Sequence, residues 1–182
     1  PLGPGASGQT VSAVFAFMDS VNSNPAYSRI ENVEEPRLPF YLGLGYEAVA
    51  KAGDYVYERG ALAGLRGDRY KSKRAACNFF AGEYRADFIP YEGRYRDECV
   101  ELYDLWAKGR AARNPDSIYV GMLKDSRTCL ICSLEEPLNL GLTGRLVLIG
   151  GRVRAFTFGY ELNSDTFCVL FEVADLSFKG IS

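Results

Sequence analysis

Histidine is absent from this chain of 182 residues. Without an imidazole, neither a Ser-His-Asp triad nor a Cys-His pair can be assembled from its own residues. No stretch of about 18 apolar residues occurs, so no segment reads as a membrane-spanning helix. No positively charged opening followed by an apolar run is present, so no secretory signal is visible, and a start at Pro1 in place of Met is what a processed or partial sequence shows. The five cysteines, Cys77, Cys99, Cys129, Cys132 and Cys168, are odd in number and scattered. That argues against a disulfide framework and for reduced thiols in a cytoplasmic setting. Cys129 and Cys132 have the CxxC spacing, but no second pair follows and no His can complete a ligand set, so no metal site is expected.

The rest of the composition is balanced, with 47% hydrophobic and 24% charged residues, as in an ordinary globular domain. A net charge of -2 tells against broad nucleic-acid binding, which calls for a strongly basic domain. Charge is nevertheless uneven. Between Arg59 and Arg74 stand six basic residues and a single acid, Asp68, a cluster suited to a small phosphate-contact site.

Hydrophobic spacing divides the chain into a helical part and a strand-rich part. Thr10 is expected to cap a helix in which Val11, Val14, Phe15, Met18 and Val21 recur at helical spacing, stopped by Asn22 to Pro25. Residues Arg29 to Tyr46 read as short extended pieces broken by Pro36 and Pro39, with helical spacing returning briefly from Glu47. Asp54 to Tyr57 reads as a short strand or turn. A helix is then expected from about Leu65 to Tyr84. It would align Arg66, Arg69, Tyr70, Lys73, Cys77, Phe80 and Tyr84 on one stripe, cationic at its start and aromatic at its end. Two readings of that stripe stand open: aromatics in the core with cations snorkelling to water, or Arg69 and Lys73 on the rim of a pocket.

Phe88 to Tyr91 is expected to be extended. Helices follow over Tyr95 to Arg113, with Trp106 as a core anchor, and from about Ser117 to Leu134. Leu142 to Ile149, Arg152 to Leu162 and Thr166 to Asp175 then read as three strands, joined at Gly150-Gly151 and at Asn163-Ser164-Asp165. Alternation along the second of these strands puts Arg152 and Arg154 on one face, either extending a basic groove or simply solvated. Helices followed by an antiparallel meander make an α+β domain.

Two phrases carry a family resemblance. The phrase DYxY…LxxLxGxxYxxKRxxxNxF is matched by Asp54, Tyr55, Tyr57, Leu62, Leu65, Gly67, Tyr70, Lys73, Arg74, Asn78 and Phe80. The later phrase LGLxGxxxxxxGxxxAFTxGxxLxxDTxxxxFEKADxxxKGI is matched by Leu140-Gly141-Leu142, Gly144, Gly151, Ala155-Phe156-Thr157, Gly159, Leu162, Asp165-Thr166, Phe171-Glu172, Ala174-Asp175 and Lys179-Gly180-Ile181. On these residues the chain resembles the GNAT-like (acyl-CoA N-acyltransferase-like) domains at the C-terminus of bacterial phosphatidylglycerol lysyltransferases, and their standalone bacterial relatives. It departs from the pattern at Ala75, where the family often has Asn, and at Val173, where it has Lys.

The resemblance implies a GNAT-like α+β fold, a mixed or antiparallel sheet packed with helices and incomplete at both ends. Residues 1–60 would be the later part of a first GNAT-like unit. Residues 61–182 would be a connecting helix and the first part of a second unit. The activity implied is transfer of an aminoacyl group from an aminoacyl-tRNA to a lipid or other small acceptor, at the inner face of the membrane. Glu172 and Asp175 are the implied catalytic carboxylates, one to accept a proton or hold an α-ammonium. Arg69, Lys73, Arg74, Asn78 and Lys179 are the implied substrate-binding residues, with Lys73 and Arg74 on a phosphate of lipid or tRNA. No cofactor is implied. Acetyl-CoA binding is not expected, because Lys179-Gly180 supplies a single Gly where acetyl-CoA enzymes place several. The alternative is a non-catalytic GNAT-derived module that binds an anionic ligand, tRNA or lipid head group, or a partner protein.

Overall fold

The structure, a computed structural model, describes residues 6–24, 28–31, 33–50 and 53–181. The chain divides into two compact units, Pro1–Val56 and Tyr57–Ser182.

In the first unit, helix α1 spans Gly8–Val21, with Val11 fully buried. The expected cap at Thr10 is corrected: Ser7 caps the helix, its hydroxyl accepting from the Thr10 amide at 3.2 Å. Capping through Ser7 starts the helix earlier than the Val11 periodicity suggests. Phe15 stacks on Tyr46, ring centroids 4.4 Å apart. The extended pieces expected over Arg29 to Tyr46 are corrected too. Glu35–Arg37 forms a single 3-10 turn and Leu38–Gly43 a short helix, α2. Pro36 and Pro39 each sit in the first turn, where a missing N–H leaves no partner unsatisfied. Prolines that looked like breakers are helix starters. No helix returns at Glu47 to Ala50.

Asp54 to Tyr57, where the first unit gives way to the second, makes no strand. Helix α3 spans Arg59–Gly64, and the way it ends directs the chain into the next helix. Leu65 takes the left-handed conformation (φ 43°), Gly67 has φ 86°, and Asp68–Tyr70 forms a 3-10 turn before helix α4, Lys71–Glu83. The single helix expected from Leu65 to Tyr84 is therefore interrupted. Arg66 and Arg69 precede α4 and leave the stripe, while Lys73, Cys77 and Phe80 stay on it.

Strand β1 (Ala86–Pro90) leads into helices α5 (Arg96–Arg113) and α6 (Ser117–Glu135). Strands β2 (Thr143–Ile149), β3 (Arg152–Asn163) and β4 (Thr166–Ala174) complete the sheet. The four strands are antiparallel in the order β1-β2-β3-β4. Gly150 and Gly151, both with positive φ, make the tight β2–β3 turn that β-branched or bulky residues cannot. The molecule is thus the expected α+β fold, with helices packed against an antiparallel sheet.

The core lies between that sheet and the two long helices. Cys99, Leu102 and Tyr103 of α5 and Leu130 and Leu134 of α6 meet Leu146, Leu148, Val153, Phe156, Phe158 and Val173 of the sheet. Each large apolar side chain buried there contributes about 2 kcal/mol of transfer free energy. Two tyrosines, one buried and one partly buried, close their hydrogen bonds against the layer: Tyr103 donates to the Leu123 carbonyl at 2.8 Å and Tyr91 to that of Leu134 at 2.9 Å. Burial, with a smaller contribution from Cys99, pushes the Tyr91 hydroxyl up to about 12, so it remains a donor. Trp106 packs at the margin of this core and is half-buried.

One irregularity in β3 has consequences for the site. Val147 pairs with Ala155 and Leu148 with Val153, so Arg154 has no partner on β2. This bulge frees the Val153 amide, which donates 2.9 Å to the Glu98 carboxylate on α5.

Candidate functional site

The residues singled out in the sequence fall into three places in the second unit. The first is the start of α4. Arg74 turns back along the helix and donates to the carbonyls of Leu65 and Gly67, at 2.7 Å for the latter. These carbonyls belong to the two positive-φ residues that interrupt the helix, so Arg74 braces that loop. Arg69 is exposed and lies over the Tyr70 ring, 4.8 Å from its centroid. Lys73 and Asn78 are exposed and have no hydrogen bond or ion pair among the described residues.

The turn after β4 comes to the same helix. Gly180 has φ 86°, and a Cβ added there would stand 2.5 Å from the Ala76 carbonyl oxygen. Only glycine lets this turn close on α4. Phe178 meets Tyr84 edge-on at 5.2 Å, and the exposed Lys179 ammonium sits 4.7 Å from the Phe79 ring centroid. The docking brings Lys179, a hundred residues away in sequence, to the helix that carries Lys73 and Asn78.

The second place is the end of β4. Asp175 accepts from the Ser177 hydroxyl at 2.6 Å, from the Ser177 amide at 3.1 Å and from Arg154 at 3.2 Å. Its side chain is 11% exposed and that of Arg154 32%. Burial by itself raises the Asp175 carboxyl, but the Ser177 hydrogen bonds and the Arg154 guanidinium outweigh it and hold the group below the ordinary aspartate range. The Arg154 guanidinium also lies over the Phe178 ring at 5.0 Å, and its Nε is buried with no hydrogen-bond partner.

Glu172 occupies a third place. Val173 faces the core, so Glu172 points to the opposite side of the sheet, where it is exposed and registers with Thr157. Arg145 registers with the same Thr157 from the other side. The two carboxylates, three residues apart in the chain, are separated by the sheet.

Arg154 and Asp175 also line a cavity of about 220 Å³ against α5, with Arg152, Glu98 and Glu101 as its other charged walls. Arg152 and Arg154 do share this space, but each meets a carboxylate there: Arg152 reaches Glu101 at 3.3 Å. A second hollow of about 110 Å³ continues along the same helix past Leu105 and Trp106 to Gly109, Arg110 and Arg113, with Ala174 and Leu176 opposite. These α5 residues were missed as site candidates. Their signal was present, since Glu98, Leu102, Leu105, Gly109 and Arg113 recur at three- and four-residue spacing, but that spacing is equally the signature of a core face.

Comparison with known proteins places the architecture. Among curated proteins none matches this chain. A solved structure, a conserved protein of unknown function from Bacteroides thetaiotaomicron VPI-5482, is 28% identical and superposes with a TM-score of 0.66, over 98% of this chain and 60% of that one. The chain thus spans three fifths of that protein's length. The family model described as phosphatidylglycerol lysyltransferase, C-terminal, matches residues 1–182, the whole of the sequence. The chain belongs to the family of phosphatidylglycerol lysyltransferase C-terminal domains.

Proposed function

We propose that this chain takes part in transferring an aminoacyl group from an aminoacyl-tRNA to a lipid or other small acceptor, with residues 1–60 the later part of one GNAT-like unit and residues 61–182 a connecting helix and the first part of a second. The observation that carries the reading is the family match over the full sequence. The physical demands of the reaction agree with it. The donor ester is already activated, so the protein's task is to position the acceptor and stabilise developing oxyanion charge. Exposed Lys73 and Asn78 on α4, and exposed Lys179 over Phe79 of the same helix, suit a phosphate-bearing substrate, and Arg69 an outer contact. Arg74 serves this surface indirectly, by holding the loop from which α4 starts. Glu172 is an exposed carboxylate available to accept a proton or hold an α-ammonium. Asp175, with its charge already satisfied, is the weaker base.

In the intact protein, transfer of a labelled amino acid from charged tRNA to phosphatidylglycerol vesicles tests this. Lys73→Ala and Glu172→Gln are each expected to slow turnover at least about tenfold, the scale of one lost charge-assisted contact. Wild-type rates in both would remove the site.

The full engagement of Asp175 favours a second reading, a non-catalytic module for an anionic ligand, tRNA or lipid head group, or for a partner protein. Binding would then survive Glu172→Gln and weaken with added salt through Lys73 and Lys179.

A further inference from the structure

We propose that the groove along α5 binds the free ends of a short, extended apolar peptide. This goes beyond the transfer reading and does not depend on it. The groove is ordered by charge. Glu101 stands at one end, where Glu98 and Asp175 add two more acids against Arg152 and Arg154, and Arg110 and Arg113 stand at the other. Neither Arg110 nor Arg113 has an ion pair among the described residues, and Arg110 is held over the Trp106 ring at 5.1 Å. Between the ends the walls are apolar and open: Leu105 is 60% exposed and Leu176 57%.

The helix dipole explains acids in the first turn of α5 and bases in the last. It does not explain the exposed Leu105 and Leu176, which line one of two hollows that adjoin at Leu102 and Leu105 along the helix. From Glu101 to Arg110 or Arg113 the helix axis runs about 14–18 Å, the span of about four or five extended residues. An ammonium at the Glu101 end and a carboxylate at the arginine end then face opposite charges, and the side chains between them cover Leu105 and Leu176. That first end carries three carboxylates against two guanidinium groups, so it keeps one net negative charge that disfavours a polyanion and that a lipid leaves unmatched.

Trp106 lines the groove and is the only tryptophan of the chain, so its fluorescence reports occupancy directly. The test titrates the full chain with the tetrapeptide Leu-Val-Ala-Leu, in free-ended, N-acetylated and C-amidated forms. The free-ended peptide is expected to shift Trp106 emission saturably, and each cap to weaken binding about tenfold, the scale of one charge-assisted contact. Arg113→Gln is expected to weaken the free-ended peptide similarly but to leave the amidated one unchanged. Glu101→Gln is expected to do the same for the acetylated form. Both side chains are exposed, so these variants keep the fold, and a circular-dichroism melt verifies it. Equal binding of capped and free peptides overturns the proposal, as does no response at millimolar peptide. A stronger response to anionic-lipid vesicles that ignores both variants overturns it in favour of a lipid.

Discussion

At the end of β4 the cation Arg154 is held on several sides, by Asp175, by the Phe178 ring and by its place in a β-bulge. On α4 the cation Lys73 stands exposed, as does Asn78 about a turn and a half further along the helix. Both belong to the second unit, and each falls within the span of a family phrase. The contrast teaches how to divide a basic cluster into architecture and surface: a guanidinium whose partners come from other segments holds the fold together, whereas an ammonium with none is available to a ligand. Arg74 resembles Arg154 in this respect and differs from its neighbour Lys73, because its hydrogen-bonding capacity is directed at two backbone carbonyls.

The contrast is open to measurement. Arg154→Ala should have the largest effect, since it leaves the Asp175 carboxylate partly buried with a guanidinium missing. We expect a loss of about 2 kcal/mol in urea unfolding, less than for a fully buried pair because Arg154 is 32% exposed. An unchanged midpoint would move Arg154 to the surface class. Next, Arg74→Ala should cost about 1–2 kcal/mol by releasing the Leu65 and Gly67 carbonyls. If Arg74 served only a ligand, stability would not respond.

A smaller effect should appear in the pH dependence. The Asp175 carboxyl is held below its ordinary value in the folded state, so the unfolded chain binds the proton more readily. Its stabilising contribution is present at neutral pH, above the unfolded value of about 3.9, and is lost as pH falls through the folded value. The stability gap between wild type and Asp175→Asn should therefore narrow on acidification below about pH 4, and a gap that widens would reverse the sign of the argument. The smallest change in stability is expected for Lys73→Ala, within about 0.5 kcal/mol. A larger loss would give Lys73 an architectural role and erase the contrast with Arg154.

Much of this architecture is legible in local pattern. The helices α5 and α6 and the strands β2 to β4 follow from periods of 3.6 and 2 sustained over many residues, and the two β-turns from Gly150-Gly151 and Asn163 to Asp165. The errors cluster where backbone chemistry is decided by one or two residues. Pro36 and Pro39 are compatible with both a break and a first turn, and the choice depends on what surrounds them. Leu65 is a good helix former, yet it takes positive φ as the cap that ends α3, where Arg74 donates to its carbonyl.

The candidate site was legible in its parts and illegible in its arrangement. The types and chain positions of Lys73, Asn78, Glu172, Asp175 and Lys179 were set by the amino-acid order alone, as were the absence of histidine chemistry and the α+β class. Which of them meet was settled only by the tertiary structure. Strand alternation put Glu172 and Asp175 on opposite sides of the sheet, and the close approach permitted at Gly180 brought Lys179 to α4. The β3 bulge turned Arg154 toward Asp175. The physical reason is one of range: propensity and periodicity act over a few residues, whereas a side chain's partner is chosen by packing between segments that lie well apart in the sequence, about a hundred residues for Lys179 and α4.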